Sequence, residues 1–482
     1  MYTPKEKVLW FAIVTRLAII FLQAMFNLIC PDHKADAFVM PQDPSDESST
    51  SNKIVSFLFA GLTRWDAQYF LYIAKYGYTF ENTLAFYPLY PTIVRFMSII
   101  MKQILYGLHS YNILLVSGII LNLFCFIRST IIFYDLSLYI LKKQGLAYKA
   151  TILYCINPAS IFFSAVYSEA LFAYITFYVM LASFKNKYYI FVPLGLSAIA
   201  RSNGLINIGF PIYSELKDAL KNVYLINYSL KTIVFKLFRN ICCKTCIKIL
   251  GIIILSLVPF ILVQIYNYAK FCSNYYKVPL PDHVSKFGTD NNLILPSNGS
   301  SWCKEAIPIS YTYIQNKYWN VGFMNYYQLK QIPNFALALP VLFIMAKCIQ
   351  EFLYQHGQII FTMGLFNVSS RQKKYDFPLE MFVFIVHGSV LFFTCLFFIH
   401  IQVSTRLLCS SSPLIYWYCA KQISYEQRSE DDYEVESNAY SRWKIFFINQ
   451  NHYSFSDKLI LSYFLGYFIL GCFMFSNFLP WT

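Results

Sequence analysis

Nine apolar runs constrain this chain more than anything else in it. They lie near 8–29, 112–139, 160–183, 188–212, 247–269, 334–353, 379–400, 404–420 and 459–478. The hydrocarbon core of a bilayer is about 30 Å thick and a helix rises about 1.5 Å per residue, so runs of roughly 20 residues can cross it. Inside hydrocarbon every backbone amide must be satisfied within the spanning structure, and runs of this length satisfy theirs as helices. Only 13% of the 482 residues are charged, where soluble domains carry about 25%. The chain is predicted to be an all-α polytopic membrane protein with roughly nine to eleven transmembrane helices, forming one membrane-integral domain over 1–482. Val8 to Ile29 makes about 33 Å of helix, long for a cleaved signal, and no A-x-A-like site follows it. It reads as a retained anchor. A weaker stretch at 90–106, interrupted by Pro91, Arg95 and Lys102, is expected to be re-entrant or interfacial.

The basic residues set the expected orientation. Lys5, Lys7 and Arg16 place the N-terminus in the cytoplasm. Lys217, Lys221, Lys231, Lys236, Arg239 and Lys244 do the same for 213–247, as do Arg371, Lys373 and Lys374 for their loop. Asp32, Asp36, Asp43, Asp46 and Glu47 mark the far side. A first luminal loop of short amphipathic helices is therefore expected at 30–89, a second long one at 270–333, and a luminal C-terminus. The net charge of +14 is spread over these short loops, so nucleic acid is not the expected partner. The thirteen cysteines fit no zinc-site spacing. Cys30, Cys272 and Cys303 lie in or beside expected luminal loops, though their spacing does not reveal a pairing. Cys242, Cys243 and Cys246 sit in a basic segment, a weak S-acylation signal. Of the sequons at Asn227, Asn298 and Asn367, only Asn298 falls in an expected luminal loop.

Four groups of residues could carry chemistry. Arg64-Trp65-Asp66 follows the first span and opens an aromatic, proline-punctuated run through Pro91. Asp66 reads either as a general base for an acceptor hydroxyl or as a surface acid paired with Arg64. His400, Gln402 and Arg406 lie between two spans. A guanidinium there can bind a phosphate through paired charge-assisted bonds, or simply snorkel from a helix end. Glu169 and Arg201, the latter in Arg201-Ser202-Asn203-Gly204, are ionisable groups inside apolar runs. Such groups cost several kcal/mol unless paired or facing water, so they form either a site or a structural salt bridge. The aromatic stretch from Trp302 to Tyr327 holds Gln315, Trp319 and Asn320. It suits sugar stacking and amide hydrogen bonding, and equally an interfacial belt. The chain shows no metal-ligand cluster, phosphate-cradling Gly-rich loop or nucleophilic triad. It also shows no internal repeat of the kind a secondary transporter or scramblase would carry.

Taken in order, these blocks resemble the PIG-V family of GPI mannosyltransferases. The resemblance rests on Arg64-Trp65-Asp66-Ala67, Tyr76-Gly77-Tyr78, Ala85-Phe86-Tyr87-Pro88, Asn157-Pro158-Ala159, Tyr167-Ser168-Glu169-Ala170 and Arg201-Ser202-Asn203-Gly204. It continues through Tyr313-Ile314-Gln315, Tyr318-Trp319-Asn320-Val321-Gly322-Phe323, Lys330-Gln331-Ile332-Pro333-Asn334-Phe335, Gln402-Val403, Thr405-Arg406 and Asn477-Phe478-Leu479-Pro480-Trp481-Thr482. It implies a GT-C-like integral enzyme of the endoplasmic reticulum with a luminal site. The implied reaction adds the second mannose, α1,6-linked, from dolichyl-phosphate-mannose to a monomannosylated GPI precursor. Asp66 occupies the place of the base, Glu169 is the nearest second acid, and Arg406 with His400 and Gln402 would meet the leaving phosphate. Arg64, Trp65, Arg201, Asn203, Gln315, Trp319 and Asn320 would line the substrates. No metal or other cofactor is implied, because cationic side chains can balance a lipid-monophosphate leaving group. A small membrane partner subunit is compatible with the resemblance. Residue chemistry alone leaves open another GT-C acceptor.

Overall fold

The computed structural model describes residues 2–481 apart from 45, 47–48, 186–188, 221–223, 226–242, 274–279, 297–298, 358–359, 369–376, 425–442 and 444–452. Sequons Asn227 and Asn298 lie outside the described residues, as do Cys242, Lys231, Lys236, Arg239, Arg371, Lys373 and Lys374. The first half of the fold comprises α1 (Pro4–Ile29), α2 (Thr50–Phe59), α3 (Asp66–Tyr76), α4 (Leu89–Ile104), α5 (Ser110–Leu141), α6 (Gln144–Cys155), α7 (Glu169–Phe184), α8 (Phe191–Ala200) and α9 (Gly209–Leu220). The second half adds α10 (Cys243–Cys272), α11 (Asp282–Asp290), α12 (Ser310–Trp319), α13 (Ile332–Gln355), α14 (Phe382–Phe397), α15 (Ser404–Ser411), α16 (Leu414–Gln422) and α17 (Phe455–Ser476). Among the described residues the only β pairing is a two-residue parallel contact of Tyr224–Leu225 with Asn367–Val368. The predicted all-α polytopic class holds.

Six stretches are long and apolar enough to cross a membrane among the described residues: Pro4–Ile29, Ser110–Leu141, Cys243–Cys272, Leu329–Gln355, Leu379–Phe397 and Phe455–Ser476. The other three predicted spans are interrupted. The 160–183 run is a 3-10 turn at Ser160–Phe163, with α7 starting only at Glu169. The 188–212 run breaks at Arg201, whose backbone is extended between α8 and a 3-10 turn over Ser202–Ile208. The 404–420 run breaks at Ser412-Pro413, between α15 and α16. Hydropathy averages over such breaks because one or two polar residues barely lower a window. Irregular backbone survives at membrane depth only where protein buries it, and Asn157, Ser168, Ser411 and Ser412 are buried.

The long helix α5 lies at the centre, packed by α7, α6, α4 and α1. Helix α1 starts with a capping box in which Thr3 and Glu6 exchange side-chain bonds with each other's backbone amides. Arg16, expected to mark a cytoplasmic end, is instead buried within α1. Its guanidinium donates to the carbonyls of Cys155 (2.9 Å) and Ser160 (2.8 Å) and lies 3.8 Å from the Phe126 ring centroid. A charge inside the bundle thus takes up carbonyls left over where α6 ends.

The 90–106 stretch is one unbroken amphipathic helix, α4, of about 24 Å. Tyr90, Pro91 and Val94 are buried, while Phe96, Ile99, Ile100 and Ile104 are exposed. It is too short to span and shows no re-entrant break, as an interfacial helix should. The expected short helices of the 30–89 segment are present from Thr50 to Ala85, whereas the described residues of 31–49 form no helix. In the 270–333 segment a disulfide joins Cys272, at the end of α10, to Cys303, with the Cα atoms 5.5 Å apart.

Candidate active site

Four charged side chains meet where the interrupted helices end. Asp66 is the first residue of α3 and Glu169 the first of α7, while Arg201 caps the C-terminus of α8. Each charge sits at the helix end of opposite polarity, worth about 0.3–1 kcal/mol at exposed sites and up to ~2 kcal/mol when partly buried. Arg406, in the first turn of α15, has no such help and is held by carboxylates. Its Nη1 lies 2.8 Å from Asp66 Oδ2 and 3.8 Å from Glu169 Oε1. Glu169 Oε1 also accepts from Arg201 Nη1. The structural salt bridge weighed for Glu169 and Arg201 is therefore present, and it lies against the guanidinium weighed for phosphate. Glu169 is fully buried, whereas the Asp66 side chain keeps 28% of its surface exposed. Of the two carboxylates, Asp66 is the one open to the surface.

The Asp66 turn is restrained from several directions. Trp65 adopts a left-handed φ of 55°, a conformation that costs a bulky residue about 1–3 kcal/mol and persists only where neighbours impose it. Tyr167 Oη accepts the Asp66 N–H at 2.9 Å. The Tyr167 carbonyl accepts from Asn122 Nδ2 at 3.0 Å, so α5 steadies the turn that precedes Glu169. Asn203 Nδ2 donates to Ser411 Oγ at 2.8 Å, tying the Arg201 break to the end of α15. Trp65 Nε1, Glu169 Oε2 and Arg406 Nε are buried without a hydrogen-bond partner.

Beyond Asp66 an aromatic shelf extends. Tyr69, one helical turn on, is stacked between Phe38 (4.3 Å) and Phe86 (4.4 Å), with Trp319 edge-on to Tyr69 at 6.1 Å. Burial pushes the Tyr69 phenol well up, and the Asp66 charge adds to that, so it stays a neutral hydrogen-bonding group. Glu81, fully buried, accepts from Lys317 Nζ and Tyr318 Oη at 2.7 Å each. This contact ties the 30–89 segment to α12.

The remaining expected site residues fall elsewhere. The His400 ring stacks on Tyr326 at 4.4 Å, and Gln402 Oε1 lies 2.8 Å from Tyr326 Oη, which also accepts from Asn334 Nδ2. Gln402 thus bonds into the 326–334 segment and His400 to the Trp319 backbone, neither of them to Arg406. Gln315 is half-buried on α12, and Asn320 is its exposed left-handed cap. Arg64 does not pair with Asp66. It bonds Asn27 (2.7 Å), Asp32 (2.8 Å) and the Ser476 carbonyl (3.1 Å). The sequence assigned no role to Tyr167, Tyr69 or Glu81. Tyr167 stood two residues before a residue already singled out, but the partners of Glu81 lie more than 230 residues away, beyond any local signal.

A family model described as mannosyltransferase (PIG-V) matches residues 5–482. The chain is 34% identical to GPI alpha-1,6-mannosyltransferase 2 of Cricetulus griseus and 33% identical to the Homo sapiens protein of the same name. In each case 99% of both chains is covered. It is 28% identical to GPI mannosyltransferase 2 of Schizosaccharomyces pombe over 78% of this chain and 68% of that one. No solved structure matches. With its membrane helices and this family match, the molecule is a multi-pass membrane glycosyltransferase. It belongs to the PIG-V mannosyltransferase family.

Proposed function

We propose that this chain adds the second mannose of a GPI anchor. The acceptor is a monomannosylated GPI precursor, the donor is dolichyl-phosphate-mannose, and the new bond is α1,6. The reaction takes place on the luminal side of the endoplasmic reticulum. The PIG-V family match over residues 5–482 carries this reading, and the 2.8 Å contact of Arg406 with Asp66, beside Glu169, supports the chemistry. Asp66 accepts the proton of the acceptor 6-hydroxyl, whose oxygen attacks the anomeric carbon of the β-linked donor. A single displacement inverts that carbon and leaves an α product. Negative charge grows on the phosphate oxygens of the departing dolichyl phosphate, where preorganised donors stabilise the transition state most. Arg406 is the donor nearest the base. A phosphate that approaches it competes with Asp66 for the guanidinium, so donor binding loosens the contact on the carboxylate that must take a proton. Glu169, fully buried and paired with Arg201, keeps Arg406 from collapsing away. Trp319, edge-on to the covered Tyr69 ring, offers an aromatic face to the acceptor sugar.

Lipid analysis of cells lacking the protein tests this. A GPI intermediate with one mannose should accumulate, and wild-type chain, but not Asp66→Asn, should clear it. Accumulation of an earlier or later intermediate would refute the assigned step.

A further inference from the structure

The C-terminal Asn477-Phe478-Leu479-Pro480-Trp481 has no part in the chemistry above, yet it lies against the turn that carries the base. We infer that this segment is a clamp on Arg64-Trp65-Asp66 and that Phe478 is a positioning residue for Asp66. The inference rests on the reading of Asp66 as the base.

Helix α17 ends at Ser476, whose carbonyl accepts from Arg64 Nε at 3.1 Å. The Phe478 ring lies 4.6 Å from the Arg64 guanidinium carbon and meets the Trp65 indole edge-on at 5.8 Å. The Asn477 carbonyl accepts from the His33 backbone at 2.9 Å, so the tail also grips the start of the same loop. Gly61 packs so tightly on Ser476 that an added Cβ would come within 2.9 Å of its side chain. One residue earlier on α17, the Phe475 ring packs 5.6 Å from that of Tyr167, whose hydroxyl accepts the Asp66 N–H. The tail's far end is pinned in turn. Trp481 is buried against Tyr467 at 5.2 Å and fills the space over Gly471, where a Cβ would stand 2.8 Å from its Nε1.

The two aromatic residues in contact, Trp65 (φ 55°) and Phe478 (φ 58°), both have left-handed backbones. Neither is glycine, so each needs external restraint to stay there. Local bonds close the turn around Trp65, from the Gln68 N–H to the Trp65 carbonyl (3.1 Å) and from Gln68 Nε2 to the Thr63 carbonyl (2.7 Å), but none of them touches the indole. Phe478 holds Trp65 and Arg64 from one side, and its own backbone is tied to the end of α17 by the Phe478 N–H on the Phe475 carbonyl (3.3 Å) and the Leu479 N–H on the Met474 carbonyl (2.9 Å). A displacement of about 1 Å in a reacting group can cost about 100-fold in rate, so a loosened turn would show in turnover more than in binding.

The test compares Phe478→Ala, Phe478→Leu and Phe478→Tyr with Asp66→Asn, as full-length chains in membranes from cells lacking the protein. With the amount of folded protein matched, Phe478→Ala should lower kcat by about 10- to 100-fold. The donor KM should stay within about two-fold, and Phe478→Tyr, which keeps the ring, should restore turnover. Phe478→Leu retains apolar bulk without the ring, and reports the same loss if the alanine variant fails to accumulate. Wild-type kcat in both ringless variants, or a loss that vanishes once protein amount is matched, overturns the clamp. An inactive Asp66→Asn beside a fully active Phe478→Ala removes the clamp alone. An active Asp66→Asn removes the base reading and the clamp with it.

Discussion

Arg406 Nη1 and Asp66 Oδ2 stand 2.8 Å apart although 340 residues separate them in the chain. The cation proposed for the leaving phosphate therefore touches the proposed base. An electrostatic donor and a proton acceptor held together in one rigid frame avoid the cost of assembling them at each turnover.

Asp66→Asn keeps the shape of the side chain but removes its capacity as a base. Transfer should fall by at least about 100-fold with protein abundance unchanged, measured with labelled donor in microsomes. Near-normal transfer would move the base elsewhere.

Arg406→Lys keeps the charge and loses the planar fork. The donor KM should rise by about ten-fold, and initial rates against donor concentration will read it. An unchanged donor dependence would place the phosphate at another cation.

Glu169→Gln leaves Arg201, and in part Arg406, without a counter-charge. Breaking a buried pair by removing one partner costs about 3–5 kcal/mol, so this variant should accumulate poorly and melt early in detergent. Glu169→Gln combined with Arg201→Met should melt later than Glu169→Gln alone. If the double variant is no more stable, the two side chains are not coupled as their contact implies.

The Cys272–Cys303 bridge closes a loop and should contribute about 3 kcal/mol. In denatured protein, a maleimide mass tag should add two more labels after reduction than before. Cys272→Ser with Cys303→Ser should abolish that difference while lowering the melting temperature.

Burial holds the His400 imidazole below its ordinary value of 6.5, against the opposing pull of the Trp319 backbone. The folded state then binds fewer protons than the unfolded state once the pH falls through that value, so stability drops on acidification. Melting curves taken below about pH 6.5 should shift down, and His400→Asn should reduce the shift. Equal slopes in both proteins would exclude His400 as the cause.

Arg64 and Asp66 show how far local sequence reached. Asp66 could be singled out because an acid beside aromatic residues, just past a long apolar run, is visible within a few positions. Arg64, two residues earlier, carried the same signal, but its partners are Asp32 and the Ser476 carbonyl. Glu169 and Arg201 were legible as a pair, since two opposite charges inside apolar runs have few ways to be satisfied. That Arg406 joins them, and that His400 and Gln402 turn instead to Tyr326, was not legible. Those choices depend on how α15 packs beside α7, and no short-range pattern encodes that.

By itself the sequence determined the class of molecule. Long apolar runs with little charge can only be satisfied as buried or lipid-facing helices, and the order of the polar blocks carries the family. The tertiary structure decided where the spans are interrupted and which charges share the space those interruptions open. It also decided that the last residues of the chain press on the turn bearing Asp66. The physical reason lies in range. Hydrophobic burial follows local composition, whereas an ion pair or a ring contact between residues hundreds of positions apart exists only once the helices have packed.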